Sequence, residues 1–400
     1  SLGLVGSEMC IRDRYMILID TQKEEFSKLR DIRVFGRISH DDRFNGNLLV
    51  IGLGGIGSRT VCNLKGMMVD DITPEDNIHF LMVDSDIPEM EQTIEDSKEH
   101  IGFNALEVLS IYRPNIENIL ADGIKKNPVH PNLANWMDAD FPDVTVTKDG
   151  AHGNRQIGRL MFSNAYEDIR MLLFDRLEEI HDKANGNWMD VIIVSSLSGG
   201  TGSGILSDLA YNIRAYGKVK KWANLRIGGC LLMPDVIFGN KSVTQDPELM
   251  FRMMANGCAA LKEVDYYMKL SEKDDAYIFE STTHKMVIRE NLFDACMLVS
   301  GKKDSQGYLP EGTILMDTAS FLYKLACNKY IGNNDVNDDR KLLRDVFFDN
   351  EKYSVTNWKM EHSDSEIAAA NCYYKVVSEA DYKIPIRCLL YTSPSPRDRG

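Results

Sequence analysis

From about residue 47 to residue 330, apolar and polar positions follow two periods that alternate along the chain. Short continuous apolar runs read as buried strands: Asn47–Ile51, His79–Val83, Met189–Val194, Leu225–Met233 (stopped by Pro234) and Phe293–Val299. Between them, apolar residues recur three and four apart. The clearest case is Gln156–Asp182, where Ile157, Leu160, Met161, Ala165, Ile169, Leu172 and Leu173 predict one face of a single long helix. Helices are also expected from the Gly52–Gly57 loop through Met68, around 104–112 and 116–124, from Ile205 onward, over Glu248–Leu270, and over the long apolar stretch Thr313–Tyr330. Mainly apolar strands alternating with amphipathic helices predict an α/β fold, a parallel sheet with helices on both faces.

The two ends do not share this pattern. A codon choice for residues 4–14, reverse-complemented, reads out most of 388–397, as one oligonucleotide translated on opposite strands would. Residues 1–14 and 388–400 are therefore set aside as adapter-derived sequence. Residues 15–44 are read as an N-terminal extension, and the natural chain is expected to start near Met16 and to continue past Arg387. After Tyr330 the pattern turns polar and acidic, so 331–387 is expected to open a second domain, cut short by the artefact.

Composition narrows the choice of function. A hydrophobic content of 44% supports a large core, and a net charge of −14 argues against a nucleic-acid groove. No apolar run approaches the ~20 residues of a membrane span. Cys62, Cys230, Cys258, Cys296, Cys327 and Cys372 are scattered with no CxxC pair, which reads as buried thiols in a reducing cytoplasm. The histidines show no metal-ligand spacing.

Two glycine turns carry the candidate chemistry. Gly52-Leu53-Gly54-Gly55-Ile56-Gly57 follows the first strand and contains GxGxxG, with Asp84 ending the next strand. That layout suits a dinucleotide, and the GLGGIGS string also resembles the loop of ubiquitin-activating-type adenylating enzymes. Ser198-Gly199-Gly200-Thr201-Gly202-Ser203-Gly204 links the third strand to a helix. A strand that turns through glycines into a helix offers free amides and the positive end of a helix dipole to an anion, with the Thr201 hydroxyl as a further donor.

The second string matches a pattern specific to the tubulin/FtsZ superfamily, and the chain resembles one of its divergent bacterial tubulin-like branches. Several other segments fall in the family's order. Gly52–Ser58 resembles the loop that contacts the α- and β-phosphates, which implicates Gly52, Gly54, Gly55, Gly57 and Ser58. Val83-Asp84-Ser85-Asp86 resembles Val-Asn-Thr-Asp, which implies that Asp86 lies near the γ-phosphate and Mg²⁺. Residues 150–159 match Gly-Ala-Gly-Gly-Asn-Pro-Glu-Ile-Gly-Arg at seven of ten positions, among them Gly150, Ala151, Gly153 and Asn154. Arg155 stands where that pattern has proline, as either a charge beside the phosphate or a solvated surface arginine.

The same resemblance implies that Ser198, Gly199, Gly200, Thr201, Gly202 and Ser203 hold phosphate. It implies that Glu248 and Arg252, one helical turn apart, serve the ribose and base, with a surface ion pair as the alternative reading. Asp317, Phe321 and Asn328 are candidates for base recognition on the long central helix. Asn333, Asp335 and Asp338 fit a catalytic Asn-x-Asp-x-x-Asp loop that acts on the nucleotide of the next subunit. The expected protein is a cytoplasmic, GTP- and Mg²⁺-binding subunit. Its GTP-binding domain would span 45–312 and its central helix 313–330, and it would associate head to tail and hydrolyse GTP at the interface. A non-hydrolysing filament scaffold and a dinucleotide-binding or adenylating enzyme remain the alternatives.

Overall fold

Strands form where every residue can be buried, because a sheet covered on both faces has no polar side. The computed structural model describes residues 46–69, 72–73, 76–97, 102–138, 147–240, 244–301, 307–328, 330–331, 341–348 and 374–375. In β1 (Asn47–Leu53) and β4 (Met189–Ser196) every residue is buried. With β2 (Ile78–Asp84), β3 (Val108–Ser110), β5 (Leu225–Leu232), β8 (Ala295–Val299) and the two-residue β11 (Tyr374–Lys375) they build one sheet, in the order β11-β8-β5-β4-β1-β2-β3. All neighbours in it run parallel.

Side chains alternate across the sheet and feed two cores. Leu49, Ile51, Leu53, Val191 and Ile193 face helices α4 (Arg155–Asn164), α5 (Tyr166–Ala184), α6 (Thr201–Val219) and α7 (Pro247–Tyr267). Leu48, Val50, Ile192 and Val194 face α1 (Gly54–Met68), α8 (Glu311–Cys327) and the short α9 (Leu343–Phe348). Two further short helices, α2 (Ile87–Ser97) and α3 (Ile116–Ala121), follow β2 and β3. The expected α/β architecture with helices on both faces is therefore the observed one.

Winding reverses at one place. From β1 the chain steps outward to β2 and β3, then returns to the other side of β1 for β4, β5 and β8. The carboxyl ends of β1 and β4 part there, and such a switch point opens a crevice.

Several local expectations are corrected. The expected helix at 104–112 is instead strand β3, which pairs with β2 from Met82↔Val108 to Asp84↔Ser110. The expected single helix over 156–182 is two helices. They break at Ala165, whose φ of −92° and ψ of 7° leave the helical region. The break follows from packing, since α4 lies on α6 while α5 lies under β1 and β4. Residues 266–291 contain the antiparallel hairpin β6 (Tyr277–Glu280) and β7 (Lys285–Ile288). Of 331–387, the described parts are β10 (Lys341–Leu342), which pairs with β9 (Tyr330–Ile331), then α9 and β11. Leu343, Phe347 and Phe348 of α9 join the second core.

Candidate functional site

The crevice at the switch point is a cleft of about 230 Å³. Three turns meet in it: Leu53–Ile56 after β1, Gly199–Gly202 after β4, and Asp149–Gly153 ahead of α4. The backbones touch. Gly54 has φ +68°, and a Cβ on it would lie 3.0 Å from the Gly202 amide nitrogen. A Cβ on Gly200 would lie 2.7 Å from the amide nitrogen of Asn154. Side chains at these two positions would force the turns apart.

Ser85 is the pin between the turns. Its Oγ accepts from the Ala151 N–H at 3.1 Å and shares a 2.5 Å hydrogen bond with Thr201 Oγ1. The end of β2, the 150s turn and the first residue of α6 are thus joined at one hydroxyl. Ser85 was not among the site residues expected from the sequence, although it stood in the Val83–Asp86 string. Its position in a four-residue string at a strand end was the available signal.

The helices that begin here are open at their amino ends. Neither α1, preceded by Leu53, nor α6, preceded by Gly200, has a side-chain cap. By contrast, Asn154 caps α4 by accepting from Gln156 and Ile157, and Asp246 caps α7 by accepting from Glu248 and Leu249. First-turn amides without a protein acceptor are anion-binding groups.

Carboxyl groups line the same cleft. Asp84 is 2% exposed, and its Oδ1 accepts from the Ser85 and Asp86 amides at 2.7 and 3.3 Å. Its Oδ2 is buried without a partner. Burial, with Glu89 nearby, pushes its pKa up to about 7. Asp86 also lines the cleft and accepts from the Glu89 N–H at 2.8 Å. Glu89 and Asp149 complete the acidic wall, and neither was singled out from the sequence. An orphaned buried carboxyl oxygen beside Asp86 fits a hard divalent cation. Among the described residues no cluster of three or more His, Cys, Asp or Glu is poised to hold a metal, so phosphate and water would have to supply the remaining ligands.

Of the residues expected to hold phosphate, Gly54, Gly55, Asp86, Gly150, Ala151, Gly153, Gly199, Gly200, Thr201 and Gly202 line the cleft. The others stand behind it. Gly52 lies within β1, opposite Met82 and Val194. Gly57 packs on the Val194 carbonyl, and Ser58 is buried with its hydroxyl unpartnered. Ser198 is buried with Oγ 2.8 Å from Ser196 Oγ, and Ser203 donates to the Gly199 carbonyl. Asn154 is committed to its cap.

Arg155 belongs to neither of its two readings. It donates to Ser203 Oγ and Ser203 O, at 3.1 and 3.2 Å, and pairs bidentately with Glu263, tying α4 to α6 and α7. Glu248 and Arg252 are exposed on the first turns of α7 and do not line the cleft. Asn256, one turn further, donates to the Gly153 and Ser198 carbonyls at 2.7 and 3.0 Å and anchors that helix to two of the turns.

The central helix α8 runs between the two edges of the sheet. Near its start, Glu311 pairs at 2.8 Å with Arg59 of α1, beside the cleft. At its end Asn328, left-handed at φ 44°, accepts from the Arg344 N–H at 2.9 Å. Arg344 in turn donates to the Asn47 carbonyl at the amino end of β1. Asn328 therefore lies at the edge away from the cleft. Asp317, two turns into α8, has Oδ2 buried without a partner, and burial raises its pKa. Asn333, Asp335 and Asp338 lie outside the described residues.

Comparison with known proteins assigns the class that this fold and cleft define. A family profile described as "Tubulin like" matches residues 49–363, and the chain belongs to that family. Among solved structures it is similar to CetZ from Methanosaeta thermophila, at 14% identity over 70% of this chain and 52% of that one, with a TM-score of 0.38. It is also similar to a GTPγS-form protofilament of TubZ from Bacillus thuringiensis, at 14% identity over 75% of this chain and 62% of that one, with a TM-score of 0.42. TubZ of Clostridium botulinum phage c-st matches at 12% identity over 70% and 59%, with a TM-score of 0.35. The chain thus spans little more than half the length of these proteins. A search among curated proteins by sequence finds no match. Among the described residues no helix is long and apolar enough to cross a membrane.

Proposed function

We propose that the chain is a GTP-binding subunit that takes the triphosphate and Mg²⁺ in the cleft at the β1/β4 switch point. The observation that carries this reading is the meeting of three glycine-containing turns and two uncapped helix ends in one crevice. The free amides of α1 and α6 and the Thr201 hydroxyl would hold the phosphates. Asp86, with the spare oxygen of Asp84, would hold Mg²⁺ through the phosphates, and the cation would offset charge repulsion in an acidic cleft. Asp317, with an orphaned carboxyl oxygen on α8, is the acceptor we assign to the paired N–H donors of guanine.

We further propose that hydrolysis occurs between stacked subunits. The 17 residues of α8 span about 25 Å. The chain thus leaves the cleft edge at Glu311 and reaches the opposite edge at Asn328, and the acidic stretch with Asn333, Asp335 and Asp338 follows in the sequence. A carboxylate of that stretch would serve the cleft of a neighbouring copy in a head-to-tail stack, a heterologous contact that continues as a filament. Orientation of water by that carboxylate, with amides and Mg²⁺ taking up charge, is the chemistry required. Such a subunit is expected to work in the cytoplasm.

The test is titration of the chain with GTP and with ATP, each with Mg²⁺. GTP is expected to bind at least about tenfold more tightly, and Asp317→Ala to remove the difference, because a buried acceptor discriminates against a ligand that lacks its donors. Equal binding of both nucleotides ends the guanine assignment. Phosphate release per subunit should rise with protein concentration, and a rate independent of concentration excludes the shared site.

A further inference from the structure

Among the described residues, four carboxyl groups line the proposed phosphate cleft and no lysine or arginine does. Three have clear local work. Asp84 accepts from the Ser85 and Asp86 amides, Asp86 accepts from the Glu89 N–H, and Asp149 accepts from the Thr147 hydroxyl. The fourth is Glu89, in the first turn of α2. Its carboxylate crosses to α1 and lies so close to Gly55 that a Cβ there would overlap it. Gly55 is the second residue of a helix with no side-chain cap. Arg59, one turn further along α1, faces the same carboxylate, with Nε 3.7 Å from Oε1. An anionic group already stands where the helix dipole and an arginine favour an anion.

We propose that Glu89 is an internal stand-in for phosphate. It fills the amino end of α1 in the empty cleft, an incoming polyphosphate displaces it, and Arg59 passes from the carboxylate to the ligand. This rests on the cleft being a phosphate site. Arg59 is suited to the exchange because its other end is held: Nη2 pairs with Glu311 of α8 at 2.8 Å, and Nε donates to the Gly55 carbonyl at 3.3 Å. The guanidinium is already fixed beside Gly55, so a change of partner needs only the carboxylate to leave. Like charges set side by side disfavour binding, so Glu89 weakens the resting affinity. The bland alternative is that Glu89 only stabilises α2 from its first turn, as acidic residues there do.

The experiment titrates the full chain with GTP and, separately, with inorganic pyrophosphate, both with excess Mg²⁺. It uses the wild type, Glu89→Gln, Glu89→Ala and Arg59→Ala. Both Glu89 variants are expected to bind each probe at least about fivefold more tightly, and Arg59→Ala to bind each more weakly. The isosteric Gln variant guards against loss of fold. Unchanged or weaker binding by both Glu89 variants overturns the proposal, as does an Arg59→Ala variant that binds as tightly as wild type. A wild-type chain that binds neither probe removes the phosphate-site reading and this proposal with it. Wild-type binding that the Glu89 variants do not alter removes this proposal alone.

Discussion

The two edges of the sheet carry similar residues and treat them in opposite ways. At the amino edge, Asp190 receives Arg226 through two hydrogen bonds of 2.6 and 3.0 Å and also pairs with Arg344 at 3.3 Å. Arg226 pairs with Asp345 at 2.8 Å and lies over the rings of Trp188 and Phe348. Asp190 and Arg344 are each 1% exposed, and each charge there has an opposite partner. At the carboxyl edge, Asp84 is buried almost as deeply, yet one of its oxygens has no partner and the charged side chains that act on it, Glu89 and Asp86, are acidic. A buried group is normally satisfied by its own protein. The paired edge is structure, and the unpaired edge is free to take something else.

The largest effect that sharpens this contrast is expected at the paired edge. Asp190→Ala leaves the buried Arg344 and the half-buried Arg226 short of a carboxylate and should cost about 3–5 kcal/mol in urea unfolding. The nucleotide affinity of the molecules that remain folded should not change. At the open edge, Gly54→Val forces a β-branched residue to φ +68° against the Gly202 backbone. It should weaken GTP binding by about a hundredfold or more while costing only ~1–3 kcal/mol of stability. A loss of stability without a loss of binding would make that turn a packing device and nothing more.

Asp84→Asn tests the orphaned oxygen. The native carboxyl has its pKa raised above the unfolded value, so the folded state holds the extra proton between about pH 4 and pH 7. Stability of the nucleotide-free protein should therefore fall as pH rises through that window. The raised pKa corresponds to an upper limit of roughly 4 kcal/mol, from which an unpaired amide takes back ~1–3 kcal/mol. The asparagine variant should gain about 2 kcal/mol at pH 8 and lose the slope, as followed by thermal unfolding across pH. A slope that persists would place its source elsewhere. Smallest of all, Glu248→Ala and Arg252→Ala, exposed at the start of α7, should change stability by no more than ~0.5 kcal/mol. A fall in GTP affinity with either would bring the start of α7 to the ligand.

Much of this was legible in the chain because the signals are local. The strands at 47–53 and 189–196 are runs in which every residue is buried, and such runs show no polar face to misread. The glycine turns after them were legible for the same reason, since a turn's backbone is set within a few residues. Where packing partners decide, reading failed. Residues 108–110 became a strand only because β2 offers them an edge. Ala165 interrupts a helical pattern without glycine or proline because its two sides pack on different elements. Arg155 carried no sign that Glu263, 108 residues away, would claim it.

The alternation of strand and helix and the three glycine turns were decided by the sequence itself, because helical and strand periods and backbone freedom are properties of neighbours along the chain. The tertiary structure alone decided what those turns meet. Strand order brings Ser85 onto Thr201 across 116 residues and sets the Glu89 carboxylate against Gly55. It also carries Asn328 to the edge away from the cleft. Which polar groups find partners and which stay open depends on distances between elements. Those distances arise only when the sheet closes on its helices.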